Sequence, residues 1–334
     1  MKKNPTTYSI LDLALVSKGH TLKDTYTNVL ELAQHAETFG YTRYWLAEHH
    51  NSSNIASSAT SILIGYVAQG TSTIRVGSGG VMLPNHSPLI IAEQFGTLGA
   101  IYPNRIDLGL GRAPGTDRET AEAIRSDFMQ AAHSFPNELE KIQTYFSSEN
   151  STSKVRATVA EGVDVPVYIL GSSTDSAHLA AKKGLPYAFA SHFATAHLWD
   201  ALKIYRNEFQ PSEVLQKPYV IVGVNIIIAE TDEEAHRLST SLIRMIVGIF
   251  TGKRDYVQPP TAMTAELEQV LQNPQIHQML KYSFIGSKAT VKTQVKEFME
   301  QTDADELIAV TNIYAIKDRI RSYKLFAEIM KELQ

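Results

Sequence analysis

Short β-rich runs alternate with helical patterns eight times along this chain, and that alternation restricts the fold more than any other feature. Parallel strands need long crossovers, usually helical, and such units must cover each other's apolar faces. "YSILDLALV" (8–16) reads as a strand. Val29, Leu32, Ala33 and Ala36 then line one face of a helix from Asp24 to Phe39, which Gly40 ends. "TRYWLAE" (42–48), "IRVGSGGVML" (74–83) and "RIDLGLG" (105–111) are the next strands, with helices at 57–68 and 89–98 between them and a largely helical stretch at 117–145 after. "VPVYIL" (165–170), a helix at 173–183 closed by Gly184, "PYAFAS" (186–191) and a helix at 194–209 resume the rhythm. The run 219–229 leads into "ETDEEA", whose charges suit a helix N-terminus. A helix at 288–299, the strand "ELIAVT" (306–311) and a helix at 316–333 complete it. Eight such units predict an α/β fold, a closed (β/α)8 TIM barrel that leaves no sheet edge uncovered. Two stretches break the pattern: 147–162, a polar and exposed excursion, and 249–285, an irregular insertion with Pro259, Pro260 and Pro274. Neither divides the chain, so residues 1–334 read as one barrel domain.

Composition removes several classes of function. The 334 residues carry a formal charge of −4, which gives no footprint for nucleic acid or an anionic membrane. Cysteine is absent, which excludes disulfides, thiolate metal sites and a cysteine nucleophile and fits a reducing compartment. The opening "MKKNPTTYSILDLALV" has two lysines and an apolar run, but Asp12 interrupts it and no small-residue cleavage site follows, so a cytoplasmic location is expected. The run 219–229 is too short to cross a bilayer.

In a barrel of this kind chemistry collects at the C-terminal ends of strands. "EHH" (Glu48, His49, His50) falls at the second, "GSGG" (77–80) at the third, "GLGRAPGTD" (109–117) at the fourth and "LGSSTDSA" (170–177) at the fifth. The glycines let a flat ligand approach the backbone. Arg112 offers a forked anion donor. Hydroxyls and free N–H groups where a helix opens make a phosphate site. Taken singly, each has a plainer reading: a bulge at Gly79 and Gly80, a helix cap in "SSTDS", an ion pair from Arg112 to Asp107 or Asp117, and core packing for "RYWL". Together they describe a phosphorylated planar ligand across the barrel mouth.

"YWLAEHHN", "VGSGGVMLPNHSPL", "RIDLGLGRAPGTD" and "LGSSTDSAHLAAKKGLPYAFASHF" give the chain a resemblance to the bacterial luciferase-like flavin monooxygenase family. It runs from the first strand to about Phe193 and again through the last helices, and it resembles the single-chain oxidoreductase branch rather than the light-emitting heterodimer. The resemblance implies FMN as cofactor, reduced before it meets oxygen. It implies His49 as the catalytic imidazole, with His50 supporting the pocket. It implies a cis peptide between Gly79 and Gly80 beneath the isoalloxazine ring, and Arg112, Ser173 and Ser176, with the Ser172 backbone, around the phosphate. Where luciferase has a reactive cysteine this chain has Gly111, so light emission is not expected and extra room above the ring is.

The function implied is a two-component monooxygenase that inserts one atom of O2 into a small organic substrate through a flavin C4a-peroxide. FMNH2 would come from a separate reductase, since no G-x-G-x-x-G opens a helix here. The family also implies a homodimer. The rival readings are an F420-dependent hydride transferase on the same barrel, a flavin-binding protein without turnover, and a metal hydrolase using Glu48, His49 and His50. Neighbouring histidines on a strand face opposite ways, which disfavours the last.

Overall fold

All eight expected strands form, each shorter than the run predicted for it. A computed structural model of the chain describes residues 5–334; the two lysines of the opening "MKKN" lie outside them. The strands are β1 (Thr7–Asp12), β2 (Arg43–Leu46), β3 (Arg75–Met82), β4 (Ile106–Gly111), β5 (Val167–Gly171), β6 (Tyr187–Phe189), β7 (Val220–Ala229), β8 (Ser283–Ser287) and β9 (Glu306–Val310). Of those expected, β1, β2, β3, β6 and β9 give up their last residues to the mouth, whereas β4, β5 and β7 begin later than expected. The helices are α1 (Leu22–Phe39), α2 (Thr60–Gln69), α3 (Pro88–Ile101), α4 (Arg118–Ile124), α5 (Phe128–His133), α6 (Phe135–Phe146), α7 (Thr174–Lys183), α8 (Leu198–Glu208), α9 (Asp232–Thr251), α10 (Ala265–Leu271), α11 (Pro274–Met279), α12 (Lys288–Thr302) and α13 (Ile316–Glu332).

β1 to β7 pair in chain order, β7 pairs with β9, and β9 returns to β1 through Thr7 opposite Glu306, all in parallel. These eight strands close a (β/α)8 barrel. β8 is an addition. Ile221–Asn225 of β7 pair with β9, whereas Asn225–Ala229 pair with β8, so the long β7 serves both.

Local chemistry sets the helix ends. Thr21 and Asp24 form a capping box on α1, and Gly40 ends that helix at φ 85°, a left-handed conformation that glycine adopts without a Cβ penalty. Thr231 caps α9 by accepting from the Glu234 N–H, with Asp232, Glu233 and Glu234 in the first turn as "ETDEEA" predicts. Successive residues of "RYWL" part to opposite sides. Tyr44 joins the layer between strands and helices, and Trp45 joins the barrel interior with Leu11, Tyr168, Ile221 and Ile308.

Both insertions differ from expectation. The 249–285 stretch is not irregular throughout: it contains the end of α9, all of α10 and α11, and the first residues of β8. The 147–162 excursion is not wholly exposed, because Ala157 and Ala160 are buried. Gly96 of α3 admits it; a Cβ there would stand 2.5 Å from the Ala160 Cα. Among the described residues no helix is long and apolar enough to cross a membrane.

The N-terminal end of the barrel is filled by a buried ionic network. Arg43 Nε donates to Glu306 at 2.8 Å, and its Nη1 donates to Asp107 at 2.8 Å and to the Tyr168 hydroxyl at 2.7 Å. Arg75 and the Trp45 indole N–H complete the donors to Asp107, and the Tyr219 hydroxyl donates to Glu306. Burial disfavours the Arg43 charge, but Glu306 and Asp107 outweigh it and hold the group's pKa well above its ordinary value. Removing one partner from such a network strands the others. Arg43→Met is expected to cost about 3–5 kcal/mol in denaturant unfolding, and adding Glu306→Gln is expected to recover part of that loss.

Candidate active site

Because the strands are parallel, the ends of β2 to β6 open on one face of the barrel, and every candidate from the sequence lies there. Glu48, just past β2, organises it. Its side chain is buried, and it accepts from His50 Nε2 at 3.0 Å, His86 Nε2 at 2.9 Å, Asn85 Nδ2 at 3.1 Å and the Met82 N–H at 3.1 Å. Burial by itself would raise this carboxyl; the hydrogen bonds from His50 and His86, with the Asn85 amide, prevail and hold it at about 2. Glu48 is therefore an ionised anchor between the β2 end and the turn after β3. His50 is turned toward this anchor.

His49 is directed elsewhere. Its Nδ1 lies 3.0 Å from the Gly115 carbonyl, which can only accept, so the neutral ring carries its proton on Nδ1. Its Nε2 has no partner among the described residues and presents a lone pair. Burial lowers the His49 pKa below the ordinary 6.5, and a nearby Arg254 charge adds to that. Gly115 itself stands at φ 65°, and a Cβ there would lie 2.6 Å from the Glu48 carbonyl, so the β4 loop passes directly under the β2 end.

That same loop carries Arg112, whose Nη2 donates to Asp175 Oδ2 at 3.0 Å. The ion pairs considered from sequence do not form: Asp107 belongs to the Arg43 network, and Asp117 caps α4 by accepting from the Thr120 N–H. Ser172 lies exposed in the turn between β5 and α7. Ser173 is the N-cap of α7 but makes no capping bond with its side chain, which leaves the first N–H groups of this ten-residue helix open. Ser176 Oγ donates to the Ser173 carbonyl at 3.0 Å and meets the Tyr187 hydroxyl at 3.0 Å. Arg112, Asp175 and Ser176 line a cleft of about 460 Å³ with Leu170, Phe128 and Phe135. That volume falls within the range of small-molecule sites, ~300–1,000 Å³. The cleft covers the arginine end of the site; His49 is not part of its wall.

The peptide between Gly79 and Gly80 is cis. Both residues are confined by protein. A Cβ on Gly79 would lie 2.7 Å from Leu11 Cδ1, and one on Gly80 2.8 Å from the Gly109 carbonyl. Strand packing alone demands glycine at Gly80, where the obstacle is main chain, whereas at Gly79 the nearest atom is the mobile end of a leucine. Nor does Gly111 leave free room: a Cβ there would meet the Met82 Cε at 2.9 Å, so the Met82 thioether fills the space.

Sequence reasoning missed three side chains. Asn85 and His86 stand in the quoted "LPNHSPL", where a turn after a glycine-rich strand brings polar groups back to the mouth. His192 ends "AFASH" and occupies a position equivalent to that of His49, immediately beyond a strand. Among the described residues no group of three or more histidines and carboxylates is arranged to hold a metal ion.

The donor set fits a phosphorylated ligand such as FMN. Arg112 and the uncapped N-terminus of α7 converge on one cleft, which suits an anionic tail, and the Ser176 hydroxyl joins them once it turns from the Ser173 carbonyl. Asp175 competes for Arg112, but both groups are exposed, and an exposed pair of this kind is readily exchanged.

A closed (β/α)8 barrel with an imidazole, an ionised glutamate anchor and an arginine-bearing cleft gathered at one mouth defines the class of fold and site. Within that class, the family model described as "Luciferase-like monooxygenase" matches residues 6–310, and the chain belongs to this family. It is 44% identical to a luciferase-like monooxygenase of Escherichia coli (strain K12), over 98% of this chain and 97% of that one. It is 32% identical to the N-acetyl-S-alkylcysteine monooxygenase of Bacillus subtilis (strain 168), over 93% of this chain and 90% of that one. The solved structure of apo-MsnO8 superposes with a TM-score of 0.91 at 34% identity, covering 98% of this chain and 99% of the other. Two more distant structures share the fold: the oxygenating constituent of 3,6-diketocamphane monooxygenase from Pseudomonas putida in complex with FMN (17%, TM-score 0.73, 98% of each chain), and an F420-dependent secondary alcohol dehydrogenase (13%, TM-score 0.71, 99% and 100%).

Glu48→Gln would place an amide N–H among groups that already donate. It is expected to cost about 3 kcal/mol of unfolding free energy at pH 7. The wild-type carboxyl is depressed from 4.5 to about 2, so its contribution is complete above pH 4.5 and disappears as pH falls toward 2. Denaturation of both proteins across that range should therefore show the gap closing with acid.

Proposed function

We propose that this chain is the oxygenating component of a two-component, FMN-dependent monooxygenase acting in the cytosol on a small organic substrate. The observation that carries the reading is the pairing, at one mouth of the barrel, of a neutral acceptor imidazole after β2 with an anion-binding cleft after β4 and β5. Reduced FMN, when bound, supplies the electrons by which one atom of O2 enters the substrate. Arg112, Ser176 and the N-terminus of α7 would hold its phosphate, with Ser172 and Ser173 bordering that turn. His49 Nε2 would accept or hold a proton near the reacting atoms, and the Gly115 carbonyl would keep the ring in the necessary tautomer. Glu48 and His50 would fix the β2 end, while Leu11 and Trp45 back Gly79 in the β3 segment that would form the floor. The kinship with the N-acetyl-S-alkylcysteine enzyme makes thioethers the first substrates to test.

A separate reductase belongs to this reading, because the chain has no dinucleotide fingerprint. So does a homodimer: Ile62, Tyr66, Ile90 and Ile101 leave apolar surface exposed on α2 and α3, and light scattering would measure the assembly. The F420-dependent fold neighbour supplies the second reading, hydride transfer from a deazaflavin.

The deciding experiment titrates the chain with FMN and with F420, then supplies FMNH2, O2 and an N-acetyl-S-alkylcysteine. Tight FMN binding with oxygen uptake matched by sulfoxide or cleavage product supports the proposal. Preference for F420, or uptake yielding only hydrogen peroxide with every substrate, defeats it. His49→Ala should retain flavin affinity and slow turnover by about 100-fold. The wild-type acid limb should lie below pH 6.5, because burial depresses the His49 pKa from that value, and the variant should lose that limb. Asp175→Asn should tighten FMN binding by removing the competing carboxylate, and Arg112→Ala should weaken it about tenfold or more.

A further inference from the structure

His192 stands just beyond β6, held there from β7. Its carbonyl accepts from Asn225 Nδ2 at 2.6 Å, and the preceding Ser191 Oγ donates to the Gly223 carbonyl at 2.6 Å. The Nδ1 of its ring is fully buried and has no hydrogen-bond partner. That nitrogen faces Gly223, where a Cβ would come within 2.5 Å of it, so a Gly223 Cα–H points at Nδ1. A C–H can meet a lone pair but not an N–H. A buried N–H without an acceptor is also the rarer and costlier kind of orphan. The ring proton therefore belongs on Nε2, the nitrogen that the protein leaves open. Burial, together with the nearby His49, pushes the pKa of His192 down to about 4, so this ring is neutral near pH 7.

His49 has the opposite sense, with its proton fixed on Nδ1 by Gly115 and its Nε2 free. We propose that His192 and His49 form a donor–acceptor pair at the barrel mouth, the Nε2–H of His192 donating a hydrogen bond to an acceptor atom on the substrate while the Nε2 lone pair of His49 accepts one from a donor group beside it. This selects substrates whose reacting centre carries or develops a hydrogen-bond acceptor, such as a carbonyl or a sulfur becoming a sulfoxide. The consequence for turnover rests on the monooxygenase reading; the protonation of the two rings does not.

Two measurements test the pair. In the chain without cofactor, nitrogen-15 NMR of the imidazoles, assigned with His49→Gln and His192→Gln, should show His192 protonated on Nε2 and His49 on Nδ1 at neutral pH. A proton on Nδ1 of His192 overturns the proposal, whatever reaction the chain performs. In turnover, His192→Phe should lower kcat by about tenfold or more, the scale of one lost hydrogen bond, with FMN affinity unchanged within about twofold. His192→Gln, which restores an N–H, should recover most of that loss. Equal rates for His192→Phe and His192→Gln, both folded and FMN-bound, overturn the donor role and leave the flavin reaction itself untouched.

Discussion

A guanidinium enclosed in the barrel is the constraint on which the rest of this structure depends. Arg43 is buried at the start of β2, and its charge is tolerated only because Asp107 on β4 and Glu306 on β9 reach it across the interior. Those bonds cross strands that are not neighbours, and Tyr168 and Tyr219 bring β5 and the approach to β7 into the same set. The Arg43 guanidinium also lies 5.5 Å from the Trp45 ring centroid and 5.0 Å from that of Tyr168, so the charged plug merges into the apolar layer above it. A barrel is a sheet without edges, and a network joining opposite walls holds it to one diameter.

The mouth repeats that principle with a different charge. At the lower end a cation is surrounded by acceptors; at the upper end the Glu48 carboxylate is surrounded by donors from β2, β3 and the turn that follows. Each leaves the neighbouring side chains little freedom. His49 acquires its direction in this way. The residue before it is anchored, the residue after it is anchored, and the loop beneath supplies the Gly115 carbonyl.

Most of the frame was legible from sequence, because eight apolar runs at barrel spacing admit few other folds. β8 was not. "SFIGS" spans five residues with every second one buried, and nothing local distinguishes it from a loop; its pairing comes from β7, more than fifty positions earlier. The site divides in the same way. His49, Arg112 and the serines were visible by their places at strand ends. Which acceptor each one meets was not, because Gly115, Asp175 and Tyr187 lie on other loops or strands. The space expected over Gly111 went to Met82, a neighbour across β3 and β4 that no spacing rule identifies.

β8 also changes what the long insertion is. Main-chain pairing to β7 secures its end, Val257 bonds to Val16 and Lys18 near its beginning, and Gln278 bonds to Thr195 in between. A segment moored at three points behaves as a fixed rim rather than a hinged flap. Residues between the moorings can be exchanged without loosening the barrel, because none of the three attachments passes through them.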